Sequence, residues 1–192
     1  SAAQEVFFDT NESEITINTK RFIIPKTYRP LSINKIELKK LLDQSKLENE
    51  QNVHQSNDVI ILPFPNGENV IFRFAEAPVM SPILSKKYPT IKTYIGESID
   101  NKMTVRFNYS PNYGFHAMIM GQTEVIFIDP YSFQNSNYII SYFKKDYENK
   151  SKREFHEDAP LSSPEYEEYL EYKAKNPLNY EKINSVEELK TY

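Results

Sequence analysis

Cysteine is absent from this 192-residue chain. That excludes disulfides, thiolate metal ligands and a cysteine nucleophile. It leaves the compartment open, because many secreted proteins hold together without disulfides. Glycine is scarce, at four residues, which is poor material for a loop that cradles phosphate. The GxGxxG, GxxxxGKS/T and GxSxG patterns are missing too, against nucleotide-binding and common serine-hydrolase chemistry. The three histidines, His54, His116 and His156, stand far apart and include no HExxH pair. Neither a zinc site built by this chain alone nor any other cofactor is therefore expected. No apolar run nears the roughly 20 residues that cross a bilayer, so membrane insertion is not expected. Basic and acidic side chains number 23 and 27, for a formal charge of -4; general attraction to nucleic acid is not expected either.

What the chain has in quantity is aromatic, with fourteen tyrosines and twelve phenylalanines but no tryptophan. The composition points to a β-rich core whose edge tyrosines keep their hydroxyls in water. A partner surface made from the same tyrosines is the alternative. The stretch VIILPFPNGENVIFRF, residues 59–74, organises the rest. Two apolar runs flank the turn segment 63–68, where two prolines and Asn66-Gly67 supply the bend, so a hairpin is predicted. On its second arm Val70, Phe72 and Phe74 share one face and Ile71 and Arg73 the other.

Before this hairpin, residues 4–24 begin with the apolar patch Val6-Phe7-Phe8, cross Asp9-Thr10-Asn11 and then alternate Ile15 and Ile17 with Thr16 and Asn18 up to Phe22-Ile23-Ile24, which predicts one or two short strands. Residues 28–31 read as an extended approach to a helix, capped by Ser32 or Asn34, with Ile36, Leu38, Leu41 and Leu42 as its apolar stripe. Residues 46–57 are polar and read as a mobile or surface connection. After the hairpin, Val79, Met80 and Leu84 are expected to cover the sheet, and Ser81-Pro82-Ile83-Leu84 could begin a single helical turn. Strands are predicted over 91–95, 103–109, 114–120, 124–128 and 138–143, a cadence that suits an antiparallel meander or sandwich. The expected fold is mainly β with one early helix. The expected divisions are a core over 1–147, a charged linker over 148–163 and a partly helical extension over 164–192.

Among chemistry-bearing residues, His116 is read first as a satisfied or edge-exposed strand histidine, with a ligand or proton-transfer role as the alternative. Asp129, at a strand terminus, is expected to accept backbone hydrogen bonds. Arg73 and Arg106 are read as partners for carboxylates.

The blocks LPFPNGENVIFRFAEAPVMSPILSKKYPTIKTYIGESID, TVRFNYSPNYGFHAMI and VIFIDPY together resemble the amino-terminal region of secreted bacterial metalloproteases with a reprolysin-like zinc catalytic domain. The likeness covers about residues 28–147. It implies a secreted, non-catalytic prodomain that aids folding or restrains a cognate zinc protease domain. The family's HExxHxxGxxH zinc segment is not in this chain, so no protease activity is implied for it. Latency by a cysteine thiolate, used by related metalloproteases, is excluded. Steric cover of the cleft, or a carboxylate or imidazole on the zinc, would have to serve instead. His156, Glu157 and Asp158 are the candidates for such a zinc-blocking group, with a solvated charged linker as the plainer reading. His116, Tyr88, Tyr94 and Tyr131 are the candidate interface residues. An extracellular binding or adhesion module is the alternative function. A hydrolase, requiring a pocket with His116 and an acidic partner, stands third.

Overall fold

The computed structural model describes residues 4–17, 19–21, 23–48, 52–78 and 92–147. The chain divides into two units, Ser1–Asn149 and Lys150–Tyr192, and all that follows concerns the first. The expectations for the linker, the terminal extension and the segment of Val79, Met80 and Leu84 fall outside the described residues.

Nine strands make one sheet: β1 Phe7–Asp9, β2 Arg29–Ile33, β3 Val59–Pro63, β4 Asn69–Glu76, β5 Lys92–Ser98, β6 Thr104–Ser110, β7 Gly114–Met120, β8 Val125–Pro130 and β9 Tyr138–Phe143. Their order is β1-β2-β9-β8-β7-β6-β5-β4-β3, and every pairing is antiparallel. Strands β3 to β9 are thus the expected meander, and β1 and β2 extend it beyond β9. The predicted hairpin is β3–β4. Its turn closes through the Phe64 amide donating to the Glu68 carbonyl at 2.7 Å, and Gly67 takes the positive φ of 94° that a side chain would resist.

The sheet curls until its edges meet. Edge strands β1 and β3 touch, and Ser141 on β9 donates across the interior to the Pro63 carbonyl of β3 at 2.7 Å. Arg29 fastens the closure. Its Nε and Nη2 grip both oxygens of Asp9 at 2.6 and 2.9 Å, while Nη1 donates to the Phe64 and Glu68 carbonyls and the Asn69 side chain. A planar guanidinium is suited to this because one fork serves several acceptors at once. The result is a mainly β, barrel-like or sandwich-like fold with one helix near the amino terminus.

Strand alternation sorts the side chains. Leu31, Ile60, Leu62, Phe72, Phe74, Tyr94, Val105, Phe107, Phe115, Ile119, Ile128 and Ile139 point inward and form one core. Helix α1, Lys35–Asp43, adds Leu38 and Leu42 to it, and the Asn34 side chain caps its start by accepting from the Glu37 amide at 3.2 Å. Ile36, expected on the same stripe, is 79% exposed. At 3.6 residues per turn it lies about 160° around the axis from Leu38.

Three sequence expectations are corrected. Residues 28–31 enter a paired strand, β2, in spite of Pro30. The Pro30 carbonyl accepts from Thr10 on the β1 side, so its missing donor lies at the end of that ladder and costs no bond to β9. The Ile15–Ile17 alternation is not a strand. Ile15 and Ile23 instead pack with Tyr28 on the outer face of β8 and β9, against Tyr131, Ile140 and Tyr142. The 46–57 connection is partly ordered: Leu47 bridges Glu76 in parallel, a 3-10 turn spans Val53–Gln55, and buried Ser56 donates to the Phe74 carbonyl at 2.6 Å.

Closure carries an acid dependence. The Arg29 hydrogen bond holds the Asp9 carboxyl below its ordinary value of 3.8, and the Tyr28 hydroxyl foremost holds Glu12 below 4.5. Depressed folded-state values stabilise the protein above the unfolded ones and lose that contribution as pH falls through them. Amide exchange over residues 7–31, expressed relative to the intrinsic exchange rate at each pH, should therefore be level from neutrality to about pH 5 and rise below it. Asp9→Asn and Glu12→Gln should flatten that rise.

Candidate functional site

The outer face of the sheet is covered unevenly. Over β8 and β9 lies the segment containing Ile15, Arg21 and Ile23; over β4 and the near edge of β5 lies the Val53–Gln55 turn. Between these covers, the alternation that sends Tyr94, Val105, Phe107, Phe115, Ala117 and Ile119 inward turns their neighbours on β5, β6 and β7 out. Thr104, Arg106 and Met120 are exposed, Ile95, Asn108, His116 and Met118 half-buried, and Glu97 buried.

Register sets these outward residues in rows. The central row runs Ala75, Ile95, Arg106, Met118, Phe127, Tyr142. One row away lie Asn108 and His116, paired across β6 and β7, and on the other side Glu97 and Thr104, paired across β5 and β6. A shallow depression of about 320 Å³ follows these rows, lined among others by Thr93, Ile95, Arg106, Asn108, His116 and Met118.

His116 is the sequence-nominated residue that this face brings into a constellation. Its Nδ1 lies 2.9 Å from Asp129 Oδ1, and the Tyr142 hydroxyl donates to Asp129 Oδ2 at 2.7 Å. Its Nε2 lies 3.3 Å from the Tyr113 carbonyl, and its side chain keeps 39% exposure. His116 is thus a satisfied strand histidine. Asp129, expected to take backbone donors, is corrected: it takes two side-chain partners, because β7 and β9, on either side of its own strand β8, present His116 and Tyr142 to its two oxygens. Burial, with Asp129 alongside, pushes the Tyr142 phenol well above the usual tyrosine range. A carboxylate–imidazole pair can shuttle a proton, but the free side of this ring meets a carbonyl rather than a nucleophile. His116 with an acidic partner beside a depression is half of what a hydrolase needs.

The two carboxylates on the adjacent rows of the sheet are engaged, and exposed Glu48 shares a hollow with Arg106 without pairing with it. Glu97, nearly buried, lies 2.5 Å from His54 Nδ1, and Asp129 is held as above. Arg106 therefore has no ion-pair or hydrogen-bond partner for its side chain among the described residues. The sequence expectation that Arg106 pairs with a carboxylate is not met among the described residues. Nor, among the described residues, do three histidines or carboxylates gather to hold a metal ion. No described helix is long and apolar enough to cross a membrane.

No family model, curated protein or solved structure matches the chain. The likeness to a protease prodomain thus rests on its sequence blocks.

The other nominated residues separate. Tyr94 is 2% exposed and stacks on Phe107 in the core, so it is corrected from interface to packing; strand β5 turns it inward. Tyr131 is 7% exposed beneath the amino-terminal segment. Its ring lies 4.0 Å from the Arg21 guanidinium and its hydroxyl donates to Glu12. Burial pushes that phenol up to about 12, so Tyr131 also serves packing rather than an open surface. Tyr88, His156, Glu157 and Asp158 lie outside the described residues. Sequence reading passed over Arg21 and Arg29, which pin the amino-terminal segment and close the sheet. The signal available for Arg29 was its place directly before Pro30, where an inward-facing cation must find acceptors.

Proposed function

We propose that this chain is a non-catalytic, prodomain-like module of a secreted zinc metalloprotease, and that it aids the folding or restrains the activity of a separate catalytic domain. One observation supports the reading above the others: how the residues of the resembling blocks divide. Leu62, Phe72, Tyr94, Phe107, Phe115 and Ile128 are core, whereas Arg106 and His116 belong to the outer face of β5–β7. Blocks that carried only a fold would have no reason to include an outward cation without a counter-charge. A module that holds a partner would. Restraint then works by presenting a rigid, preformed face, which limits the ordering cost of association.

The test begins with the gene: the reading expects an HExxHxxGxxH segment downstream of the codon for Tyr192. The two parts are then made separately and mixed. Slower peptide cleavage, or a higher yield of refolded enzyme, is expected. No complex and no change in either quantity would reject the proposal.

A further inference from the structure

The outer β5–β7 face carries a charge pattern that identifies what it takes. In its central row Arg106 stands between Ile95 on β5 and Met118 on β7, with Ala75 and Phe127 beyond them. It is a single cation in an otherwise apolar row. The two carboxylates that could neutralise it from adjacent rows are spoken for, Glu97 by His54 and Asp129 by His116 and Tyr142. Arg106 is exposed, and the half-buried Ile95 and Met118 flank it in the row. The two covers described above lie toward the ends of this row, over β4 and over β8–β9, and leave Arg106 exposed between them.

We infer that Arg106, with Ile95 and Met118 on either side, is the docking site for an acidic side chain of the partner protein that is flanked by apolar residues. The inference rests on the prodomain-like reading, under which that partner is the zinc protease domain. Charge complementarity selects this occupant. A carboxylate accepts two parallel hydrogen bonds from the guanidinium fork, and apolar neighbours of that carboxylate find Ile95 and Met118 at the same level of the sheet. Association removes water from the pair, so the charge contact gains strength and specificity together. Asn108, one row away, offers an amide donor at the rim.

Binding of the whole module to the separately made catalytic domain of the same gene tests this. Wild type, Arg106→Glu, Arg106→Lys and Met118→Glu are compared by calorimetry and by inhibition of peptide cleavage. Arg106→Glu should weaken the complex by at least about 100-fold and Arg106→Lys by about tenfold, because the ammonium keeps the charge and loses the fork. Met118→Glu should cost at least about tenfold. All three variants should melt as the wild type does, since these side chains are outside the core. Amide exchange in the wild-type complex should slow across β5–β7. If wild type binds and neither glutamate variant changes the affinity, the docking site lies elsewhere and the prodomain-like reading stands. If wild type neither binds nor inhibits, that reading fails and the inference falls with it. A dimer of the module alone that Arg106→Glu abolishes would overturn the inference in favour of a second copy of this chain.

Discussion

Phe107→Ala should lower the free energy of unfolding by about 3–5 kcal/mol. The Phe107 ring stacks on Tyr94 at 4.9 Å, meets Phe74 edge-on at 5.5 Å and Phe115 at 5.6 Å, and is almost wholly buried. Phe115 in turn lies 4.9 Å from Phe7 of β1, so the cluster joins the middle of the meander to the far edge of the curled sheet. Each of these rings is carried on a hydrogen-bonded strand, and strands cannot slide inward to fill a lost ring. The void left by alanine therefore stays open, and the loss approaches the transfer term plus the full cavity term. Phe107→Leu should cost less, about 1–2 kcal/mol, because most of the volume is kept. Denaturant titration checks both. The alanine variant should shift the midpoint with an unchanged slope, and a loss under about 1 kcal/mol would mean that the core collapses around the gap.

Gly114→Ala should cost about 3 kcal/mol or more, through two effects that add. Gly114 opens β7 after the three-residue turn 111–113 and has a φ of 84°, where an L side chain is strained. A Cβ there would also sit 2.4 Å from the Asn135 carbonyl oxygen and 2.9 Å from the Pro130 ring. The oxygen belongs to the backbone of the β8–β9 connection and cannot swing aside as a flexible side chain would. That connection must move, and it adjoins Pro130 and Tyr131 at the end of β8, next to Asp129. Loss of stability should therefore come with a perturbed His116 environment, read as a shift of its ring proton resonances. Gly67→Ala has the same positive φ but nothing within 4 Å of the new Cβ, so it should cost only about 1 kcal/mol. Equal losses at the two glycines would show that backbone strain alone, not the clash, governs Gly114.

Strands β7 and β9 were legible to the residue, and β5, β6 and β8 to within three residues at each end. Their short runs are rich in β-branched and aromatic residues and bounded by turn residues, and those signals are local. Strand β2 was missed because Pro30 reads as a breaker, and its harmlessness depends on which neighbour its amide would have faced. The Ile15–Ile17 run was misread for the converse reason. It alternates, yet it lies over the outer face of β8 and β9, where Ile15 joins Tyr131, Ile140 and Tyr142 while Ile17 stays exposed. Tyr94 and Tyr131 were nominated as surface because tyrosine carries a polar end; packing buried both.

Sequence alone determined the meander, its turns and the side of the sheet to which most residues belong, since a two-residue period and a proline–glycine turn act within a few bonds. Tertiary structure decided how the edges close through Arg29, which covers lie over the outer face, and that Glu97 and Asp129 are engaged while Arg106 is left without a counter-charge among the described residues. Those outcomes depend on strand register and sheet curvature between residues tens of positions apart, where no local pattern carries the information.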